Sequence, residues 1–162
     1  MYPTVSIVIN TLDRAVELQQ TLKSMLWLDY PGEFEVIVVN GPSKDNTEAV
    51  VASWLSHIRF GKCEIANLSV SRNIGICMAQ GEIVAFIDDD AIPEPEWLTQ
   101  LVKPYVDPMV GGAGGFVFDY TGYNFQYEYA VVDRFGNADR SQSGPAPAFA
   151  FPKSYQFPHL LG

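Results

Sequence analysis

Three adjacent carboxylates, Asp88-Asp89-Asp90, are the residues best placed to do chemistry. They follow the strongly apolar run Ile83 to Ile87, and like charges this close repel one another. A bound cation is the simplest relief. Hard oxygen donors favour Mg²⁺ or Mn²⁺, ions that complete their shells with substrate phosphate oxygens. In an extended segment Asp88 and Asp90 fall on one side and Asp89 on the other, so one pair can face a ligand together. The plainer alternative is a solvated acidic turn that caps the next helix. Two other polar groups also follow apolar runs: Thr11 with Asp13, and the stretch Asn40 to Asp45, which contains Ser43.

Elements that position these groups can be read from the pattern. Val5 to Ile9 and Phe34 to Val39 are short, β-branched and nearly all apolar, as is Ile83 to Ile87, so all three read as buried strands. Residues 14–27 place Ala15, Leu18, Leu22, Met25 and Leu26 at helical spacing, with Asp13 or Thr11 as the cap. Thr47 to His57 and Ser71 to Gln80 read as helices, with a weaker strand over Arg59 to Ile65. A further helix opens at Pro95 and runs to Val102, and Val110 to Asp119 reads as a glycine-interrupted strand. Strands alternating with helices imply an α/β fold with a mostly parallel sheet. Ligands of such sheets bind beyond the carboxyl ends of the strands, where all three polar loops fall.

Composition narrows the function. The chain has 162 residues, 48% hydrophobic and 18% charged, which excludes a disordered or fibrous protein. Ten Lys and Arg against 19 Asp and Glu give a net charge of -9, so no nucleic-acid partner is expected. Cys63 and Cys77 form no CxxC pair, and a reduced compartment is the simpler setting. No apolar run reaches the ~18 residues of a membrane span, and the start carries no secretory signature. His57 and His159 stand apart from any metal-ligand spacing, Trp97 reads as packing, and Gly111 to Gly115 reads as a site of close approach or a bulge.

The blocks VSIVINTLDRA, FEVIVVNGPSKDNT and SVSRNIGICMAQGEIVAFIDDDAIPEPEWL, in this order, resemble the N-terminal, nucleotide-sugar-binding part of a family 2 glycosyltransferase of the GT-A fold. The resemblance covers residues 4–118. It implies a metal-dependent, inverting transfer of a sugar from a nucleoside-diphosphate sugar, with a UDP-sugar as the favoured donor. It also implies roles for particular residues. Thr11 and Asp13 would contact the nucleotide. Asn40 stands where the family usually has an Asp that bonds uracil; an Asn still donates and accepts but supplies no charge. Ser43 and Asp45 match the rest of that loop. Arg72, in Ser71-Arg72-Asn73 with Gly75, would approach the base or the diphosphate. Asp88-Asp89-Asp90 matches the DxD motif, with Asp88 near the ribose, Asp90 and Asp88 at a Mn²⁺ or Mg²⁺ ion, and Asp89 in support.

An inverting transfer also needs a general base. The later carboxylates Asp107, Asp119, Glu128, Asp133 and Asp139 each stand alone, so the base is expected beyond Gly162. Residues 1–120 are then the nucleotide-sugar-binding part of a GT-A domain truncated on its C-terminal side. Residues 121–162 begin an acceptor-side region, expected to be incomplete and partly disordered. The acceptor stays open, as does membrane association of a full-length, otherwise cytoplasmic protein. Two alternatives remain: a catalytically incomplete nucleotide-sugar-binding module, and a nucleotidyltransferase. The latter would want a basic, glycine-rich phosphate loop after the first strand, which Asn10 to Arg14 is not.

Overall fold

A computed structural model describes residues 2–115, 117–119, 121–122, 124–127, 131–132 and 138–139. The chain divides into two compact units, Met1–Ala113 and Gly114–Gly162.

In the first unit, β1 (Val5–Thr11), β2 (Phe34–Asn40), β3 (Arg59–Lys62) and β4 (Ile83–Asp88) form one sheet in the order β3-β2-β1-β4. Every pairing is parallel. The helices are α1 (Ala15–Met25), α2 (Thr47–Trp54), α3 (Leu68–Met78) and α4 (Trp97–Val102), the last running into a 3₁₀ turn at Lys103–Val106. This is the α/β architecture expected from the sequence. The register decides where chemistry can occur, because Thr11 lies opposite Asn40, and Asn10 opposite Asp88. The carboxyl ends of β1, β2 and β4 are therefore level, and their polar loops leave one edge together.

Strand alternation sorts the core onto two faces. Val5, Ile7, Ile9, Val36 and Val38 pack with Leu18, Leu22 and Met25 of α1, Val51 of α2 and Leu98 and Val102 of α4. Val8, Ile37 and Val39 pack on the other face with Cys63 and, from α3, Ile74 and Met78. Full burial of one such aliphatic side chain is worth about 1.5–3 kcal/mol. On the second face α3 sits very close to β1. A Cβ on Gly75 would lie 2.4 Å from Val8 Cγ1, so only glycine permits this approach.

Several boundaries differ from the sequence expectation. Arg14, not Asp13 or Thr11, is the cap residue of α1, and it makes no side-chain cap bond. The Ala15 amide donates instead to Asp45 Oδ2, 2.9 Å away on the loop after β2. Asp13 is not available: it sits at φ 55°, the left-handed region, and its Oδ1 accepts the Lys44 amide. Helix α3 starts at Leu68 rather than Ser71, because Asn67 Oδ1 accepts the Val70 amide at 3.1 Å and caps it there. Helix α2 stops at Trp54, whose carbonyl takes the amides of both His57 and Ile58. Trp97 packs against the core as expected, and Cys77 is exposed. Among the described residues no helix is long and apolar enough to cross a membrane.

Among the described residues, the second unit shows two antiparallel pairs, Val117–Phe118 with Phe125–Tyr127 and Val131–Val132 with Ala138–Asp139. Asp119 closes the first turn by accepting the Thr121 amide at 3.0 Å and the Thr121 hydroxyl. Of the strand expected over Val110 to Asp119, the described residues show Val117–Phe118. Among the described residues, no atom lies within 4 Å of where a Cβ would sit on Gly111 or Gly112. Glu128, Asp133 and His159 lie outside the described residues, as does most of the acceptor-side region expected over residues 121–162.

Candidate nucleotide and metal site

The loops after β1 and β2 are stapled to each other before any ligand is considered. Asn40 is buried, 2% exposed, and its Oδ1 accepts the Ser43 hydroxyl at 2.6 Å. Ser43 Oγ in turn accepts the Asp13 amide at 2.9 Å, and the Lys44 amide donates to Asp13 Oδ1 at 2.5 Å. Asp45 adds the Ala15 contact and takes both the amide (3.0 Å) and the hydroxyl (2.5 Å) of Thr47. The Thr47 hydroxyl and the Ala15 amide hold the Asp45 carboxyl below the usual carboxylate range. Asp13, Asn40, Ser43 and Asp45 are thus brought together, and the side-chain oxygens named here bond to protein groups.

The acidic turn follows β4. Only Asp88 belongs to the strand; Asp89 and Asp90 form a turn in which the Ala91 amide donates to the Asp88 carbonyl at 3.2 Å. The extended geometry expected for the three aspartates is therefore not adopted. The separation of their side chains is nevertheless kept. Asp88 is 78% exposed at the side chain and Asp90 50%, whereas Asp89 is buried. The reason is Thr21 on α1, whose hydroxyl donates to the Asp89 carbonyl at 2.7 Å and draws the middle of the turn inward.

Burial pushes the Asp89 carboxyl up. The nearby Thr11 hydroxyl and the Arg14 charge oppose this, and Asp90 adds to it. Thr11 Oγ1 is itself buried without a well-formed hydrogen bond, so its help to Asp89 is a close approach rather than a good bond.

Among the described residues two arginines, not one, attend the carboxylates. Arg72 Nη2 lies 3.9 Å from Asp88 Oδ1, and its guanidinium rests over the Phe86 ring at 5.6 Å. Ser71, at its side, is buried and accepts Asn10 Nδ2 at 2.6 Å, which pins this turn of α3 to β1. Arg14 Nη1 is 2.5 Å from Asp90 Oδ2 and 3.9 Å from Asp89 Oδ1. The Asp90 bond, then the charges of Asp89 and Asp90, raise the Arg14 pKa above its ordinary value. Sequence reasoning passed over Arg14, although a lone cation in the first polar loop opposite three carboxylates was a usable signal.

Among the described residues no three His, Cys, Asp or Glu side chains are gathered closely enough to hold a metal alone. The donor set still fits Mg²⁺ or Mn²⁺, which keep waters and take one or two carboxylates plus substrate phosphates. Asp88 and Asp90 are two exposed carboxylates of that kind.

The glycosyl transferase family 2 pattern matches residues 6–154. Glycosyltransferase AglE of Haloferax volcanii is 28% identical over 134 residues, 78% of this chain and 41% of that protein. Glucosyl-dolichyl phosphate glucuronosyltransferase of the same organism is 32% identical over 118 residues, 70% of this chain and 38% of that one. The mannosyltransferase PcManGT from Pyrobaculum calidifontis, solved with GDP-Man and Mn²⁺, superposes with a TM-score of 0.61 and 29% identity over 68% of this chain and 34% of that one. S. aureus TarS 1-349 with UDP-GlcNAc gives 0.57 and 26% over 65% of this chain and 31% of that one. The chain spans 13% to 41% of the length of the first curated relatives it matches. By its sequence pattern and its GT-A-like sheet, the chain belongs to glycosyl transferase family 2.

Proposed function

We propose that this chain carries the donor side of a metal-dependent, inverting glycosyl transfer from a nucleoside-diphosphate sugar. One observation carries the reading. The parallel register brings the loops after β1, β2 and β4 to one edge and leaves Asp88 and Asp90 exposed there with two arginines beside them. Neighbours of the same fold were solved with GDP-Man and Mn²⁺ or with UDP-GlcNAc, which supports a nucleotide sugar as the ligand class.

Asp90 and Asp88 would hold Mn²⁺ or Mg²⁺. When bound, the ion neutralises the leaving diphosphate. Arg72 supplies a planar donor suited to phosphate oxygens. Thr11, Asp13, Asn40, Ser43 and Asp45 form the nucleotide wall. Asp13, Asn40, Ser43 and Asp45 shape the wall through the hydrogen bonds above, and Thr11, beside Asp89, lines it toward the turn. Asp89 acts from below, as the buried anchor of the turn. Inversion also needs a carboxylate to take the acceptor proton. We assign none of these residues to that step, since each is committed to the donor side or to a helix cap.

Equilibrium dialysis tests the reading. UDP, GDP and their sugars are expected to be retained by the folded chain when Mn²⁺ is present and released when it is chelated. Retention of none of them contradicts it.

A further inference from the structure

We propose that Arg14 is a positioning residue that holds Asp90 while no cation does, so that cation binding at this edge is an exchange of the guanidinium for the metal. The proposal rests on Asp90 being a metal ligand, as above. Three observations carry it.

The contact is close: Arg14 Nη1 lies 2.5 Å from Asp90 Oδ2. A Mg²⁺ or Mn²⁺ ion held by Asp90 would sit about 2 Å from a carboxylate oxygen. Two cations that close to one carboxylate would repel each other.

The arginine is also free to leave. Its side chain is 48% exposed, and as the cap residue of α1 it makes no side-chain cap bond. The helix start is held elsewhere, by Asp45 on the Ala15 amide and by the Leu18 amide on the Arg14 carbonyl. Swinging the side chain into water therefore disturbs no backbone bond.

Finally, the exchange is local. Asp88 has its arginine at the looser distance of 3.9 Å, so one carboxylate stands open while the other is held. A lone cation meets a half-neutralised pair and binds weakly. A cation arriving with a diphosphate brings its own anionic partner for the released guanidinium.

The test is Mn²⁺ binding to the full chain without nucleotide, followed by electron paramagnetic resonance, for the unaltered protein, Arg14→Gln, Asp90→Asn and the double variant. Arg14→Gln is expected to bind Mn²⁺ about fivefold more tightly, the strength of an exposed ion pair at its upper end. A merely structural arginine would leave the affinity equal or lower, and that result overturns the proposal. If Asp90→Asn changes nothing in the Arg14→Gln background, Asp90 is not a ligand, and the metal assignment itself falls. If Asp90→Asn weakens binding but Arg14→Gln does not strengthen it, the metal assignment stands and the exchange is wrong. A second readout uses the unaltered chain, so it does not depend on a variant folding. The Arg14 Nε–H resonance is expected to move toward that of a free arginine as Mg²⁺ saturates, and a resonance that stays in place overturns the exchange.

Discussion

The Thr21 hydroxyl donates to the Asp89 carbonyl at 2.7 Å, tying the buried face of α1 to the acidic turn 68 residues later. Both residues are buried, so the bond has no water to replace it. Thr21→Val keeps the shape and removes the donor. Leaving a buried carbonyl unsatisfied costs about 1–3 kcal/mol. A urea titration should show that loss, and Thr21→Ser should recover most of it.

Asp45 predicts a pH dependence. Its carboxyl accepts the Thr47 hydroxyl and amide and the Ala15 amide, and its folded pKa lies below the ordinary 3.8. A carboxylate depressed by folding stabilises the protein above its unfolded pKa, and this stability is lost as pH falls through the folded value. Urea midpoints should therefore drop as pH is lowered past about 4. Asp45→Asn should lower the midpoint at neutral pH and flatten the acid limb. Asp119 is also depressed, by Thr121. So is Glu35, where burial pushes upward but the Arg59, Ser6 and Gln80 donors outweigh it. The flattening should therefore be partial.

Gly75 holds α3 against β1. A methyl group there would meet Val8 Cγ1 at 2.4 Å, and Val8 is fully buried with a stiff χ1. Gly75→Ala should cost about 1–3 kcal/mol through overpacking. Combining it with Val8→Ala should return less than the sum of the two single losses. A double-mutant cycle read by thermal melting checks this.

The parallel sheet was legible because its strands are continuous β-branched runs: β1, β2 and β4 fall within a residue or two of where the apolar pattern puts them. The edge that gathers the polar loops followed from that topology alone. What escaped was set by contacts distant in sequence. The cap of α1 comes from Asp45, 30 residues on, and no local rule points to it. The Asp88 to Asp90 stretch read as extended, yet the buried bond from Thr21 and a turn after β4 decide its shape. The Arg14 to Asp90 pair spans 76 residues. A bare acidic triplet invites a metal as its only counter-charge, and the structure supplies two guanidinium groups as well.

A nucleoside diphosphate bound at the Asp88 and Asp90 edge should need the metal. Calorimetric titration of UDP and GDP into the folded chain with Mn²⁺, with chelator, and with the Asp90→Asn variant tests it most directly. The expected binding heat needs Mn²⁺, and in Asp90→Asn it is lost or reduced by at least tenfold in affinity, the scale of one removed charged ligand, ~1.4 kcal/mol or more. Binding that is equal with chelator, or unchanged in Asp90→Asn, would contradict it.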